Sequence, residues 1–236
     1  MDRKNEAKEN EKLGKVAMEA NDYLEGILQF SEAIALNPLK ASLWNRRCAC
    51  LMALKRSDLA LNDALKAIEL DETLKSAHFR LIECHLNLGE IEKAENAIKK
   101  LQEIDSDALL TDLVKKMKKL KKFNADIDKA VVNNNFDKCF GLLDEAMKLS
   151  PDSNDLKFKK LQILVISGRF QKIDEKMNQS GMLEVLKRFY EGNIHESLRL
   201  LETVKPMLRT SKEVESFKEK LINFADVIAK GLMMPI

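Results

Sequence analysis

The feature that most constrains this chain is a helix-favouring segment that recurs with a period of about 34 residues. The copies are Phe30–Pro38 (FSEAIALNP), Ala64–Glu72 (ALKAIELDE), Ile98–Ser106 (IKKLQEIDS) and, later in the chain, Leu143–Pro151 (LDEAMKLSP). Each has an apolar helix end, then Asn, Asp or Ser, and then a turn. A fixed period of this length is typical of helical hairpins stacked into a solenoid, whereas an unrelated bundle gives no reason for it.

Small residues recur at two places in the period. One set stands where the two antiparallel helices of a unit must approach closely, and the other where one hairpin packs on the next. The first set is Gly26, Ala60 and Ala94, and the second set is Ala33, Ala67 and Ala146. Pro38 and Pro151 end the second helix of their units, because proline cannot continue a helix.

The pattern resembles the tetratricopeptide repeat (TPR). The Trp, Gly, Ala, Phe and Pro of that repeat are matched, from different units, by Trp44, Gly14, Ala60, Phe30 and Pro38. The resemblance implies an all-α fold, a TPR-type right-handed superhelical solenoid of helix-turn-helix repeats.

The predicted organisation has three parts. Residues 1–108 hold three repeats, at about 7–40, 41–74 and 75–108. Residues 109–210 hold a connecting helix and further TPR-like repeats, at about 120–153 and 154–187, with a degenerate unit at 188–210. Residues 211–236 form a capping helix, at about 211–230, and a tail, since the ends of a solenoid must be covered.

Composition excludes several classes of protein. With 33% charged and 45% hydrophobic residues the chain can bury a core. Its net charge of +2 marks neither a nucleic-acid nor a membrane binder, and we expect neither partner. The four cysteines lack metal-ligand spacing and are interpreted as reduced structural thiols, in keeping with a cytoplasmic location.

The most basic segment lies between residues 115 and 122. Its lysines could form a nuclear localisation signal, so the nucleus is the alternative location. We favour an amphipathic helix, because apolar residues recur every three or four positions between the lysines. The lysines are Lys115, Lys116, Lys118, Lys119, Lys121 and Lys122, and the apolar residues are Leu109, Leu113, Met117, Leu120 and Phe123.

No catalytic constellation can be assembled from the sequence. It has no glycine-rich phosphate loop, nucleophile elbow or zinc-protease helix, and its three histidines, His78, His85 and His195, lack metal-ligand partners. We therefore expect a protein that is not an enzyme and needs no metal or cofactor.

The candidate site is the concave groove that the first helices of a solenoid line. Lys15, Arg46 and Arg80 stand at comparable first-helix positions and could grip a carboxylate, or they could be ordinary solvated charges. Asn45 and Lys75 are adjacent candidates. These five residues are the predicted peptide-binding residues.

The order of three repeats, a connecting helix and further repeats resembles the TPR-containing J-domain co-chaperones of the DnaJ subfamily C member 7 type. Phe79–Gly89 is similar to that family's third repeat, and Phe189–Glu191 falls where its sixth repeat would lie. The resemblance implies binding to Hsp70 and Hsp90 through the repeats. The chain has no His-Pro-Asp motif, so the family's J-domain activity is not carried over.

The chaperone-binding "carboxylate clamp" of such repeats uses Lys and Asn on the first helix, Asn on the third, and Lys and Arg on the fifth. The ungapped positions here are Glu11, Lys15, Arg46, Ser76 and Arg80. Only Arg80 matches outright, while Asn45 and Lys75 each stand one residue away. Glu11 is expected to repel a ligand carboxylate.

The sequence thus predicts a protein–protein interaction adaptor, co-chaperone-like, that binds a chaperone or client peptide in the TPR groove, with Hsp70 and Hsp90 as candidates. The alternative is a structural scaffold subunit of a larger assembly without a chaperone-tail site. The sequence leaves self-association open.

Overall fold

The computed structural model describes residues 3–104, 108–167, 169, 181–191, 193–201, 203, 219 and 222. The described residues form helices and no strand. The helices are α1 (Arg3–Glu19), α2 (Tyr23–Leu36), α3 (Ala41–Ala53), α4 (Ser57–Leu70), α5 (Lys75–Leu88), α6 (Ile91–Ile104), α7 (Ala108–Val132), α8 (Phe136–Leu149), α9 (Asn154–Ile166), α10 (Met182–Tyr190) and α11 (Ile194–Leu201). None of these helices is long and apolar enough to cross a membrane. Apart from residues 219 and 222, the predicted helix at 211–230 lies outside the described residues, as do the tail after it and all of residues 170–180.

The chain divides into two compact units. The first comprises the residues up to Asn124 together with Ala146–Ser153, and the second comprises Ala125–Glu145 and the residues from Asn154 onward.

In the first unit, α1 to α6 form three helical hairpins whose seams depend on small residues. Gly14 of α1 faces the ring of Phe30 on α2, where a Cβ would lie 2.8 Å from Phe30 Cε1. Gly26 lets Cys50 of α3 approach closely in the same way. Ala60 and Ala94 of the corresponding second helices are fully buried.

The turns between the helices carry the backbone conformations that such tight connections need. Asn21, Lys55 and Asn134 have positive φ, and each lies in a turn between two helices. Gly89 ends α5 with φ 79°, a left-handed conformation in which glycine has no steric penalty.

The end of α5 is completed by residues much later in the chain. Ser150 Oγ donates to the backbone carbonyl of Leu86 (2.6 Å), and the backbone N–H of Asp152 donates to that of Asn87 (3.1 Å). A Cβ at Gly89 would overlap Ser153 Oγ, so glycine is needed there for space as well as for its φ.

Helix α7 is continuous through the position where the connecting helix and the next repeat were predicted to meet, because residues 108–132 contain no glycine or proline. Met117 and Leu120 are buried with Leu101 and Leu110, which confirms the amphipathic interpretation of the lysine segment at these positions. Five of its six lysines are exposed, and Lys116 is half-buried.

The second unit has its own core, whose buried residues include Ile127, Cys139, Leu143, Ile163 and Val185. Ser197 Oγ of α11 donates to the carbonyl of Val185 on α10 (2.8 Å) within this core. All four cysteines of the chain are free and buried, as the sequence predicted.

Candidate functional site: the groove face

The helices α1, α3 and α5 are the first helices of successive hairpins and are joined by polar contacts on one side. Glu11 of α1 contacts Arg46 of α3, and Asn45 of α3 donates from Nδ2 to Ser76 Oγ of α5 (2.7 Å). We call this side the groove face and define it by Glu11, Lys15, Asn45, Arg46, Ser76 and Arg80. It brings together four of the five predicted binding residues. The fifth, Lys75, is exposed at the start of α5, next to Ser76.

Glu11 lies at the centre of a cation cluster. Its Oε2 accepts from Lys40 Nζ at 2.6 Å, and its Oε1 lies 3.0 Å from Lys15 Nζ and 3.9 Å from Arg46 Nε. The Glu11 side chain is 11% exposed, whereas those of the three cations are 39–41% exposed. Glu11, which the sequence predicted would repel a ligand carboxylate, is therefore already paired with cations.

The ionisation of Glu11 follows from these contacts. Burial alone would raise the pKa of Glu11, but the hydrogen bonds and charges of Lys40 and Lys15 outweigh it and lower that pKa. Glu11 therefore stays ionised throughout the neutral range.

Arg46 keeps unused hydrogen-bonding capacity. Its Nε atom is buried and makes no hydrogen bond within the described part of the chain. The 3.9 Å separation from Glu11 is too long for a hydrogen bond, so this contact is electrostatic only. A buried donor without a partner is costly. The Arg46 side chain as a whole is 39% exposed, so its charge is accessible to a ligand.

Arg80 is held by neutral groups. Its Nη1 donates to Asn45 Oδ1 (2.7 Å) and to the carbonyl of Ser76 (3.3 Å). Among the described residues Arg80 forms no ion pair with a carboxylate. The guanidinium is therefore positioned but keeps its charge, while the buried Asn45 connects the two helices.

Arg80 also lines a cavity of about 320 Å³ between α3 and α5. Small and apolar residues of α3 form one wall, and polar residues of α5 form the other. The lining residues are Ala49, Met52, Ala53, Arg80, Glu83 and Asn87. Such a cavity can take one side chain of a peptide beside the Arg80 charge.

Three further residues near the groove face were not predicted to take part in binding. Lys40 lies in the turn before α3, Asn87 is near the end of α5, and Lys116 belongs to the lysine segment of α7. Lys116 Nζ donates to Asn87 Oδ1 (2.8 Å). Burial lowers the pKa of Lys116, and the charge of Glu83 opposes that shift. The one sequence feature that could have identified any of these three residues was the position of Lys116 at the edge of the apolar stripe.

The described residues contain no group of three or more His, Cys, Asp or Glu side chains placed to hold a metal ion.

Comparison with known proteins agrees with the repeat architecture. The family model of the coatomer epsilon subunit matches residues 26–132, which is less than half of the chain. Mouse DnaJ homolog subfamily C member 7 is 28% identical over 170 residues, covering 72% of this chain and 34% of the mouse protein. The Hsp70-Hsp90 organizing protein of Triticum aestivum is 36% identical over 94 residues, covering 40% of this chain and 16% of the wheat protein.

The chain spans about a third of the length of the DnaJ relatives that it matches. Among solved structures, the P58(IPK) TPR domain superposes with a TM-score of 0.61 at 16% identity, covering 95% of this chain and 66% of that one. This likeness shows the fold alone. The chain therefore has the TPR solenoid fold predicted from its sequence, and it is similar in sequence to the TPR region of DnaJ homolog subfamily C member 7.

Proposed function

We propose that this protein is a protein–protein interaction adaptor that binds an acidic peptide of a chaperone or client on the groove face. The observation that carries the proposal is Arg80, a positioned cation with neutral partners beside a cavity of side-chain size. Arginine is suited to this role because its guanidinium can bind a carboxylate through two parallel hydrogen bonds.

Relatives indicate which peptides to test. The name of the wheat relative says that it organises Hsp70 and Hsp90, and this chain is similar to it over 94 residues, which is 16% of the wheat protein. We therefore take the C-terminal segments of Hsp70 and Hsp90 as the first candidate ligands.

The test is isothermal titration of the full chain with the Hsp90 peptide SRMEEVD and the Hsp70 peptide SGPTIEEVD. Saturable binding that weakens by about tenfold or more in Arg80→Ala is expected, since a hydrogen bond to a charged group contributes about 1.5–3 kcal/mol. Arg56→Ala is the matched control, because Arg56 is an exposed cation in the turn before α4. Absence of binding at high peptide concentration would contradict the proposal.

A structural scaffold is the second candidate, favoured by exposed apolar residues on α2. Leu24 is 71% exposed, and Leu28 lies one turn further along the same helix face. An interface of this kind persists at high salt, whereas a carboxylate grip weakens as ionic strength rises. A native complex that survives about 0.5 M NaCl and is lost in Leu24→Ser/Leu28→Ser would favour the scaffold.

We propose that the helices pair into repeats at about 7–40, 41–74 and 75–108, with later repeats at about 120–153 and 154–187. We also propose a cytoplasmic location, with the nucleus as the alternative through the lysine segment. Imaging of a fluorescent fusion, compared with one in which the lysines at 118, 119, 121 and 122 are replaced, distinguishes the two locations.

A further inference from the structure

The cation cluster of the groove face contains its own anion. Resting on the function proposed above, we infer that Glu11 is a built-in competitor for the acidic groups of the ligand and thereby determines how acidic a peptide must be to bind.

The hydrogen bonds of Glu11 are those that a ligand carboxylate would make. Lys40 and Lys15 occupy one carboxylate oxygen each, at 2.6 and 3.0 Å. Lys40 lies in the turn between α2 and α3, so the contact joins segments 29 residues apart in the chain. A ligand with a single carboxylate gains little here, because it must replace bonds that already exist.

The cluster nevertheless remains positively charged. Three cations against one carboxylate leave an excess of two positive charges. The Arg46 side chain is 39% exposed, so a ligand can reach its charge. A further anion therefore finds net positive potential at this cluster.

These two properties together define a ligand class. Peptides with one isolated carboxylate compete poorly with Glu11. Peptides with several adjacent acidic groups can neutralise the excess positive charge around Arg46 while one of those groups pairs with Arg80. The lowered pKa of Glu11 supports this, because the internal carboxylate stays charged wherever the ligand is charged.

The test compares Glu11→Gln with the wild type in titrations with SRMEEVD and with the same peptide carrying Gln in place of both Glu residues. Removing one negative charge from the cluster is expected to tighten binding of the acidic peptide about tenfold, and that of the Gln peptide much less. Glu9→Gln is the matched control. It changes the net charge equally at an exposed site on the same helix and should leave the affinity unchanged.

A second measurement does not depend on the variant. The lysines of the wild-type chain are methylated with ¹³C-formaldehyde and their methyl NMR signals, assigned by substitution, are followed during the titration. The signals of Lys15 and Lys40 should shift on addition of SRMEEVD. Binding that leaves both signals unmoved overturns the inference.

The outcomes separate this inference from the proposed function. Wild-type binding that depends on Arg80 but is unchanged or weaker in Glu11→Gln overturns the inference and leaves the proposed function standing. Binding by Glu11→Gln alone supports the competitor but contradicts the proposed function for this peptide, because the wild-type protein does not bind it. Absence of binding by both proteins overturns both statements.

Discussion

Two adjacent arginines of α3, Arg46 and Arg47, have the same chemistry and opposite environments. Arg47 donates from Nε and Nη2 to the two carboxylate oxygens of Asp63 on α4, at 2.8 and 2.7 Å, and from Nη1 to Ser31 Oγ. Its guanidinium also lies 5.0 Å from the Trp44 ring centroid. Arg46 faces Glu11 at 3.9 Å with its Nε unsatisfied.

The difference follows from helix geometry. Successive residues of a helix are turned by about 100°, so one arginine points to the groove and its neighbour points to the second helices. Arg47 and Asp63 are 21% and 5% exposed, and their hydrogen bonds are used within the fold. Arg46 keeps an exposed charge beside Glu11. Under the proposed function, binding and folding are thus assigned to neighbouring residues of one helix.

The largest expected effect is on the buried pair. Asp63→Ala leaves the Arg47 guanidinium without its carboxylate and should lower the free energy of unfolding by about 3 kcal/mol, the usual cost of breaking a buried pair. Urea denaturation followed by circular dichroism measures it. A loss no larger than that of Glu69→Ala on the same helix would show that the pair is not structural.

Arg46→Ala should weaken peptide binding more than stability, which is the reverse of the effect expected for Asp63→Ala. We expect binding of an acidic peptide to weaken about tenfold, because a charged donor of the groove is lost. The free energy of unfolding should change by no more than about 0.5 kcal/mol, since the Arg46 side chain is substantially exposed. Equal losses of stability in Arg46→Ala and Arg47→Ala would remove the distinction between the two sites.

A smaller effect is expected from the pH dependence of Glu11. Its pKa in the folded protein is depressed below the usual 4.5, so its contribution to stability is present above pH 4.5 and is lost as the pH falls through the folded value. The difference in unfolding free energy between wild type and Glu11→Gln, at most about 1 kcal/mol at neutral pH, should shrink in acid.

Urea denaturation at several pH values between 7 and 3 checks this prediction. Glu90, whose pKa is lowered to about 2 chiefly by its hydrogen bond with His85, is present in both proteins and cancels in the difference. A difference that stays constant across this range would contradict the assignment to Glu11.

The smallest effect belongs to an ordinary surface pair. Glu69 lies 2.7 Å from Lys66, and its side chain is 67% exposed. Glu69→Ala should cost no more than about 0.5 kcal/mol, and added salt should reduce even this. A larger cost, measured in the same urea experiment, would contradict the proposal that the contributions of Asp63, Glu11 and Glu69 to stability fall as their exposure rises.

The sequence predicted the repeat architecture well because the period fixes which residues face the seams. Ala60, Ala94 and Ala33 are fully buried, as their recurrence indicated. It also placed Lys15, Arg46 and Arg80 on first helices, since helical spacing determines which face a residue occupies.

The pairing of these residues could not be predicted. Glu11 depends on Lys40, which lies in a turn outside any helical period, and Asn45 depends on a rotamer that brings it to Arg80. Long side chains reach partners that spacing alone does not specify. Lys116 was likewise assigned to a solvated surface, although its half-buried amine reaches Asn87.

The capping of α5 has a consequence for synthesis of the chain. The hairpins α1–α2 and α3–α4 can form as soon as they leave the ribosome, because their contacts are local. The carbonyl of Leu86 accepts from the nearby N–H of Gly89, but its second hydrogen bond must wait for Ser150, 64 residues later, which takes roughly 3–13 s at ordinary translation rates. During that interval the last turn of α5 has only its local hydrogen bonds from Gly89 and Glu90, so it gains its full set of contacts later than the first two hairpins gain theirs.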